Sequence, residues 1–240
     1  MEIKHNAYFL VYQDNTHNQY LKRLLPSVKK YGKQFKIIKF NKKNIKDDFL
    51  NKNNSILSSD RGGGHWLWKP YIINETLKTI NDNDIIFYLD SKYYFIEDFT
   101  NLYSEYMKNN DLLVWKNKPN EPIWYMKNWC KMDVIHKYNM YDKVFNENAE
   151  DCWGGALIVK KTKNTIRYIQ EWLDMCCIYQ DISDSPSTIP NSEMFSEHRE
   201  DQSLLSILLH KYNIEMQYFP KQYLQNVRVP FRNKIKNNII

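Results

Sequence analysis

An α/β fold is predicted by three observations. Short β-branched and aromatic runs alternate with segments of helical spacing, one of those runs is apolar at every position, and three consecutive glycines open onto a helix start. Residues 8–12 and 35–40 read as strands, and between them Tyr20, Leu21, Leu24, Leu25 and Val28 recur at helical spacing. The polar stretch 41–54 reads as a loop or a short exposed helix. It leads into Arg61-Gly62-Gly63-Gly64-His65-Trp66-Leu67-Trp68-Lys69-Pro70, which holds half of the chain's 6 glycines. Pro70 suits the first turn of a helix whose face carries Ile72, Ile73, Thr76, Leu77 and Ile80. After a turn at 81–84, Ile85-Ile86-Phe87-Tyr88-Leu89 is apolar throughout, as a central parallel strand covered by helices on both faces requires. Asp90 then stands at its carboxyl end. The alternation continues with a helix over 99–108, a strand over 112–115, an irregular aromatic-rich region to 148, a strand over 156–159 and a helix over 165–179. A Ser, Asp and Pro-rich loop covers 181–192. The last strong helix starts near Arg199, with Leu204, Leu205, Leu208, Leu209 and Tyr212 on one side, before a strand over 215–219; the tail after Pro230 reads as loosely held. Ligands of such sheets sit at the carboxyl ends of the strands, so the candidate clusters are expected to meet there.

The 240 residues suit one domain, with 42% hydrophobic and 26% charged residues and no apolar run approaching the ~18 residues of a spanning helix. Residues 1–12 are too short and too polar for a secretory leader and read as the first strand. Cys130, Cys152, Cys176 and Cys177 contain no C-x-x-C, which argues against a zinc framework or a disulfide scaffold and for reduced thiols in the cytoplasm. The net charge of +6 is spread along the chain, with mild concentrations at Lys42, Lys43 and Lys46 and at Arg232, Lys234 and Lys236. It favours an anionic ligand without specifying nucleic acid.

Four clusters can carry chemistry. The glycine run fits neither a Walker loop nor a dinucleotide fingerprint, but it allows close backbone approach, and a helix start flanked by Arg61 and Lys69 offers positive charge to a phosphate. The same residues also suit a loop whose tryptophans fill core. Asp90, followed by Ser91 and Lys92, can hold a divalent cation or a ribose hydroxyl, or simply close a turn. In Glu197-His198-Arg199-Glu200-Asp201-Gln202, Asp201 shares a helix face with Leu204, Leu205, Leu208 and Leu209, which turns its carboxylate toward the sheet as a candidate general base; a helix-start acid stabilising the macrodipole has the same pattern. His198 is either a metal ligand or structural. In Cys152-Trp153-Gly154-Gly155-Ala156, a glycine hinge precedes a strand, with Trp153 as a stacking platform for a sugar or base, or as an inward-packed turn residue.

In order, Arg61 to Tyr71, Tyr88-Leu89-Asp90-Ser91, Trp153-Gly154-Gly155-Ala156 and His198-Arg199-Glu200-Asp201-Gln202-Ser203 resemble the GT-A nucleotide-sugar glycosyltransferases. The likeness is to small enzymes of bacterial and giant-virus polysaccharide synthesis, and the ordered set is more specific than any member. The resemblance implies a GT-A, Rossmann-like fold with a mixed, mostly parallel central sheet flanked by helices. It implies one domain over 1–240, with a nucleotide-binding half over about 1–115 and an acceptor-binding half over about 116–230.

It also implies transfer of a hexosyl or deoxyhexosyl group from a nucleotide sugar, a uridine diphosphate sugar first, to a glycan, glycolipid or glycoprotein hydroxyl. Asp201 would be the general base of an inverting reaction, with Glu200 as fallback. Arg61, Gly63, Lys69, Asp90 and Lys92 would bind the diphosphate, and Trp153, Gly154 and Gly155 would bind the acceptor or sugar. Asp90 matches the first position of the D-x-D motif that holds Mn²⁺ or Mg²⁺; the third position is Lys92. That departure leaves three options: weak metal binding, help from His198, or a lysine replacing part of the metal's charge. A retaining, metal-dependent transferase and a non-catalytic sugar- or nucleic-acid-binding module are the alternatives. Peripheral association with a membrane fits a lipid-linked acceptor, although no amphipathic anchor is evident.

Overall fold

The computed structural model describes residues 5–13, 18–100, 106–116, 122–218 and 221–226. Among the described residues, six strands form the central sheet in the order β2 (Phe35–Asn41), β1 (Ala7–Gln13), β3 (Ile85–Leu89), β6 (Cys152–Lys160), β5 (Leu112–Lys116) and β7 (Gln217–Tyr218). β1 is parallel to β2 and to β3. β6 is antiparallel to β3 and to β5, while β7 is parallel to β5. The sheet is therefore mixed and mostly parallel, with β6 running against its neighbours. A separate ribbon pairs β4 (Tyr93–Phe95) with β8 (Leu224–Asn226).

The uninterrupted apolar reading of β3 has a direct cause. All five of its residues are buried, because alternate side chains feed two cores. Ile85, Phe87 and Leu89 pack with Phe9, Ile158 and Leu113 against the helix Asn18–Tyr31, where Phe35, Phe95 and Phe99 complete an aromatic cluster. Ile86 and Tyr88 face the other way, with Leu10, Val114 and Leu157, onto the helices Trp68–Thr79, Lys163–Cys176 and Glu200–Lys211. The last of these helices is buried on more than the leucine side, since Ser203, Ser206 and Ile207 are also enclosed.

Several boundaries differ from the sequence reading. The Lys163–Cys176 helix starts earlier than expected because Thr162 and Thr165 form a reciprocal cap. β6 begins at Cys152, so Gly154 and Gly155 lie within a strand; they are not a hinge ahead of one. The region read as irregular contains the short helices Met132–Lys137 and Tyr141–Phe145. The strand expected over 215–219 is found at Gln217–Tyr218. Part of the helix expected over 99–108, and the tail after Pro230, lie outside the described residues. All four cysteines are free thiols, and no described helix is long and apolar enough to cross a membrane.

Candidate active site

A cavity of about 540 Å³ opens at the carboxyl ends of β1 and β3. Because β6 is antiparallel, its amino end arrives at the same edge and brings Trp153, Gly154 and Gly155 to the wall. The start of the Glu200–Lys211 helix closes another side.

The glycine run is a turn of left-handed helix. Gly62, Gly63, Gly64, His65 and Trp66 have φ of 58, 62, 100, 51 and 59° in succession. Glycine adopts such angles freely, whereas each L-residue with a side chain costs about 1–2 kcal/mol there. At Gly64 space is also short, since a Cβ would lie 2.8 Å from the Leu57 Cα. The turn delivers Trp66 and Trp68 to the cavity. The Trp68 indole N–H donates to the Gly62 carbonyl at 3.0 Å, and its ring stacks on Tyr12 with centroids 4.1 Å apart. Gly63 is exposed and does not line the cavity.

Lys69, in the first turn after the glycines, is buried at the cavity floor. Its ammonium donates to Asp201 Oδ2 at 2.7 Å and to the Gly154 carbonyl at 3.1 Å. Burial acts to lower the Lys69 pKa, but the Asp201 and Asp90 carboxylates outweigh it and hold the group above its ordinary value. Burial pushes the Asp201 carboxyl up to about 6, against the pull of Lys69 and with a push from Asp90. The Trp172 indole N–H donates to the Asp201 carbonyl at 2.9 Å and fixes this end of the helix.

The preceding residue, Glu200, has φ of 40° and is buried. Its carboxylate accepts a hydrogen bond from Arg61 Nε, which also lies 3.2 Å from Asp184. Burial raises the Glu200 pKa to about 7 even though Arg61 lowers it. Asp90 takes a hydrogen bond from the Tyr88 hydroxyl at 2.7 Å and faces Lys92 Nζ at 3.5 Å. Its backbone N–H donates to the Gly155 carbonyl at 2.8 Å, which locks the strand end to β6.

The structure thus brings Arg61, Lys69, Asp90, Lys92, Trp153, Gly154, Gly155, Glu200 and Asp201 to one cavity. His198 is placed differently. Its Nδ1 accepts from the Lys131 N–H at 3.3 Å and its Nε2 meets the Asp181 carbonyl at 2.8 Å, so neither ring nitrogen is left for a cation. Burial lowers its pKa to about 3, and it does not line the cavity.

A divalent cation does not fit the remaining donors well. Asp90 is a single carboxylate with an ammonium beside it, and no cluster of three His, Cys, Asp or Glu suited to a metal occurs among the described residues.

Other residues of the cavity went unassigned in the sequence. Gln202 accepts from the Gly154 N–H at 3.1 Å and donates to the buried Asp151, which Ser206 also holds at 2.7 Å. A Cβ on Gly154 would come within 3.2 Å of Gln202, so the glycine permits this close approach. Arg199 lies 3.6 Å from the ring centre of Trp129. Tyr12, at the end of β1, and Trp124 complete the aromatic lining. The motif around Asp201 contained Arg199 and Gln202, but nothing in their spacing set them apart from surface residues.

The mixed sheet has the GT-A type of fold, with the cavity at the carboxyl ends of its parallel strands. The chain is similar in structure to the bifunctional glycosyltransferase WbbM, with a TM-score of 0.54 at 10% identity over 92% of this chain and 40% of that one. It is also similar to the glycosyltransferase GlyE of Streptococcus pneumoniae, with a TM-score of 0.50 at 12% identity over 91% of this chain and 46% of that one. The chain therefore spans less than half the length of either. Mouse xyloside xylosyltransferase 1 aligns with a TM-score of 0.49 at 7% identity, over 90% of this chain and 85% of that one. No family model and no curated protein matches the chain in sequence.

Proposed function

We propose that the chain is a glycosyltransferase that moves a sugar from a nucleoside-diphosphate donor, a uridine diphosphate sugar first, to a hydroxyl of a glycan, glycolipid or glycoprotein. The observation that carries this reading is the meeting of Asp90, the Lys69–Asp201 pair and the Arg61–Glu200 pair in one cavity at the strand ends of a GT-A fold. The acceptor oxygen bonds to the anomeric carbon as the bond from that carbon to the diphosphate breaks. The electron pair leaves with the diphosphate, and the acceptor proton passes to a carboxylate. Asp201 is that base in our reading. With its pKa at about 6 it is ionised at neutral pH and still more basic than an ordinary aspartate. Glu200, at about 7, is the fallback. Charge on the leaving diphosphate is met by Lys92 and Arg61, while the buried Lys69 contributes only through its field, since its ammonium stays on Asp201 and the Gly154 carbonyl. Trp153, packed edge-on against Tyr93 at 5.1 Å, is the platform for the acceptor or the transferred sugar.

Attack from the face opposite the leaving group inverts the anomeric centre. One observation favours a retaining course: Lys69 already occupies Oδ2 of Asp201, which suits a carboxylate that holds a sugar hydroxyl. The anomeric configuration of the product, read by NMR, separates the two.

The donor class is tested by thermal shift with UDP, GDP, CDP and their common sugars on the wild type and Asp90→Ala. A ligand at about 100-fold above its Kd adds about 2.7 kcal/mol to the folded state. Stabilisation by one base class, reduced in Asp90→Ala, is the expected result. No shift with any nucleotide would turn the reading toward a non-catalytic binding module.

A further inference from the structure

The donor site proposed above must meet a diphosphate with positive charge, and the cavity's cations differ in how firmly they are held. Lys69 is buried, with hydrogen bonds to Asp201 and to the Gly154 carbonyl. Arg61 is bound to Glu200, with Asp184 at 3.2 Å and Glu197 at 3.9 Å. Arg199 lies over Trp129 and 3.8 Å from Glu197. Lys92 is held more loosely. Its side chain is 46% exposed, and its ammonium lies 3.5 Å from Asp90 Oδ2 and 5.3 Å from the Tyr93 ring centre.

The surroundings of Asp90 suit an ammonium better than a divalent cation. Hard cations gather several oxygen ligands. Here one carboxylate stands at the strand end, one of its oxygens already accepts from the Tyr88 hydroxyl, and the side chain two residues on is Lys92. A cation at Asp90 would meet Lys92 as a like charge at close range, with the Lys69 charge also bearing on the same carboxylate. An ammonium has three donors, so Lys92 can keep its ion pair with Asp90 at 3.5 Å while its N–H groups take phosphate oxygens.

We infer that the Lys92 ammonium, anchored by Asp90, holds the donor's diphosphate in place of a divalent cation, so that nucleotide binding needs no metal. The inference rests on the donor reading above and deepens it. Asp90 acts by positioning Lys92, and Lys69 stays with Asp201. The contact is charge-assisted and half-exposed, so binding weakens as salt rises.

The test is calorimetric titration of UDP, with GDP in parallel, into the full chain, once in EDTA and once in millimolar Mn²⁺. The wild type is expected to bind with the same Kd, within about twofold, in both conditions. Lys92→Gln should weaken binding about tenfold or more in both, as loss of a charge-assisted hydrogen bond implies. Lys92→Asp, which supplies a second carboxylate, should bind poorly in EDTA and recover in Mn²⁺. Wild-type binding that appears only with Mn²⁺ would overturn the inference and leave the donor reading standing, and this arm needs no variant to fold. Full binding by Lys92→Gln in EDTA would also overturn it. If neither nucleotide binds in either condition, the donor reading fails and this inference fails with it.

Discussion

Glu200 and Asp201 are adjacent carboxylates at the head of one helix, yet they meet their cations in different settings. Asp201 and Lys69 are both enclosed, each with a side chain 5% exposed, and their contact lies between two helix starts. Glu200 is equally enclosed, but its partner Arg61 is 40% exposed and shared with Asp184 and Glu197. Arg61 also precedes a left-handed glycine turn, and Glu200 itself has a left-handed backbone. The first pair is a fixed part of the floor. The second is a cation at the rim, divided among three carboxylates, with an acid poised near neutrality. Burial alone does not separate the two acids. The exposure and sharing of the partner do.

The largest expected effect comes from breaking the floor pair. Lys69→Met should cost about 3–5 kcal/mol in urea unfolding, because it strands a buried charge, and Asp201→Leu added to it should recover much of the loss. Arg61→Met should cost less, since Arg61 is 40% exposed and divided among Glu200, Asp184 and Glu197, so its charge is screened by water. Equal costs would erase the distinction.

The Arg61–Glu200 pair also responds to pH. The folded state keeps the Glu200 proton up to about 7, whereas an ordinary glutamate loses it near 4.5. The folded state therefore binds more protons between those values, and the contribution is full below about 4.5 and lost as pH rises through about 7. Thermal unfolding of wild type minus Glu200→Gln should show this decline, about 1–3 kcal/mol across the window. A flat difference would mean that Arg61 keeps Glu200 ionised throughout.

Gly64→Ala should cost about 1–3 kcal/mol, through its φ of 100° and the close Leu57 backbone. Gly63→Ala, at an exposed position with φ of 62°, should cost about 1 kcal/mol. A smaller effect still is expected on ligand response at His198. His198→Ala should lower stability by about 1–2 kcal/mol through two lost backbone hydrogen bonds, and leave any effect of Mn²⁺ on nucleotide binding unchanged.

Much of the frame was legible because it depends on local pattern. The five apolar residues of β3 announced a strand covered on both faces, and Asp90 at its end followed. The leucine spacing after Asp201 turned that carboxylate toward the sheet. Whether Glu200 or Asp201 faces the cleft hung on one residue of helix register, and the left-handed backbone at Glu200 lets both line it. Other features depend on contacts distant in sequence. Lys69 meets Asp201 across 132 positions and Arg61 meets Glu200 across 139, and no spacing rule joins them. The reversed direction of β6 is invisible in a run that is apolar in either direction. Its consequence is that Gly154 and Gly155 reach the cavity from within a strand, one touching Gln202 and the other locking Asp90. His198 reads in sequence as either a metal ligand or structural, and its two backbone partners mark it as structural.

In the proposed reaction this cavity activates a nucleoside-diphosphate sugar with Asp201 at the reacting centre. The most direct measurement is release of nucleoside diphosphate from a panel of nucleotide sugars, with water as acceptor, by wild type and Asp201→Asn. The expected result is turnover of one donor class by the wild type and a loss of at least ~10²-fold in the variant, with donor binding retained. Release at equal rates by both proteins, or by neither with any donor, would contradict it.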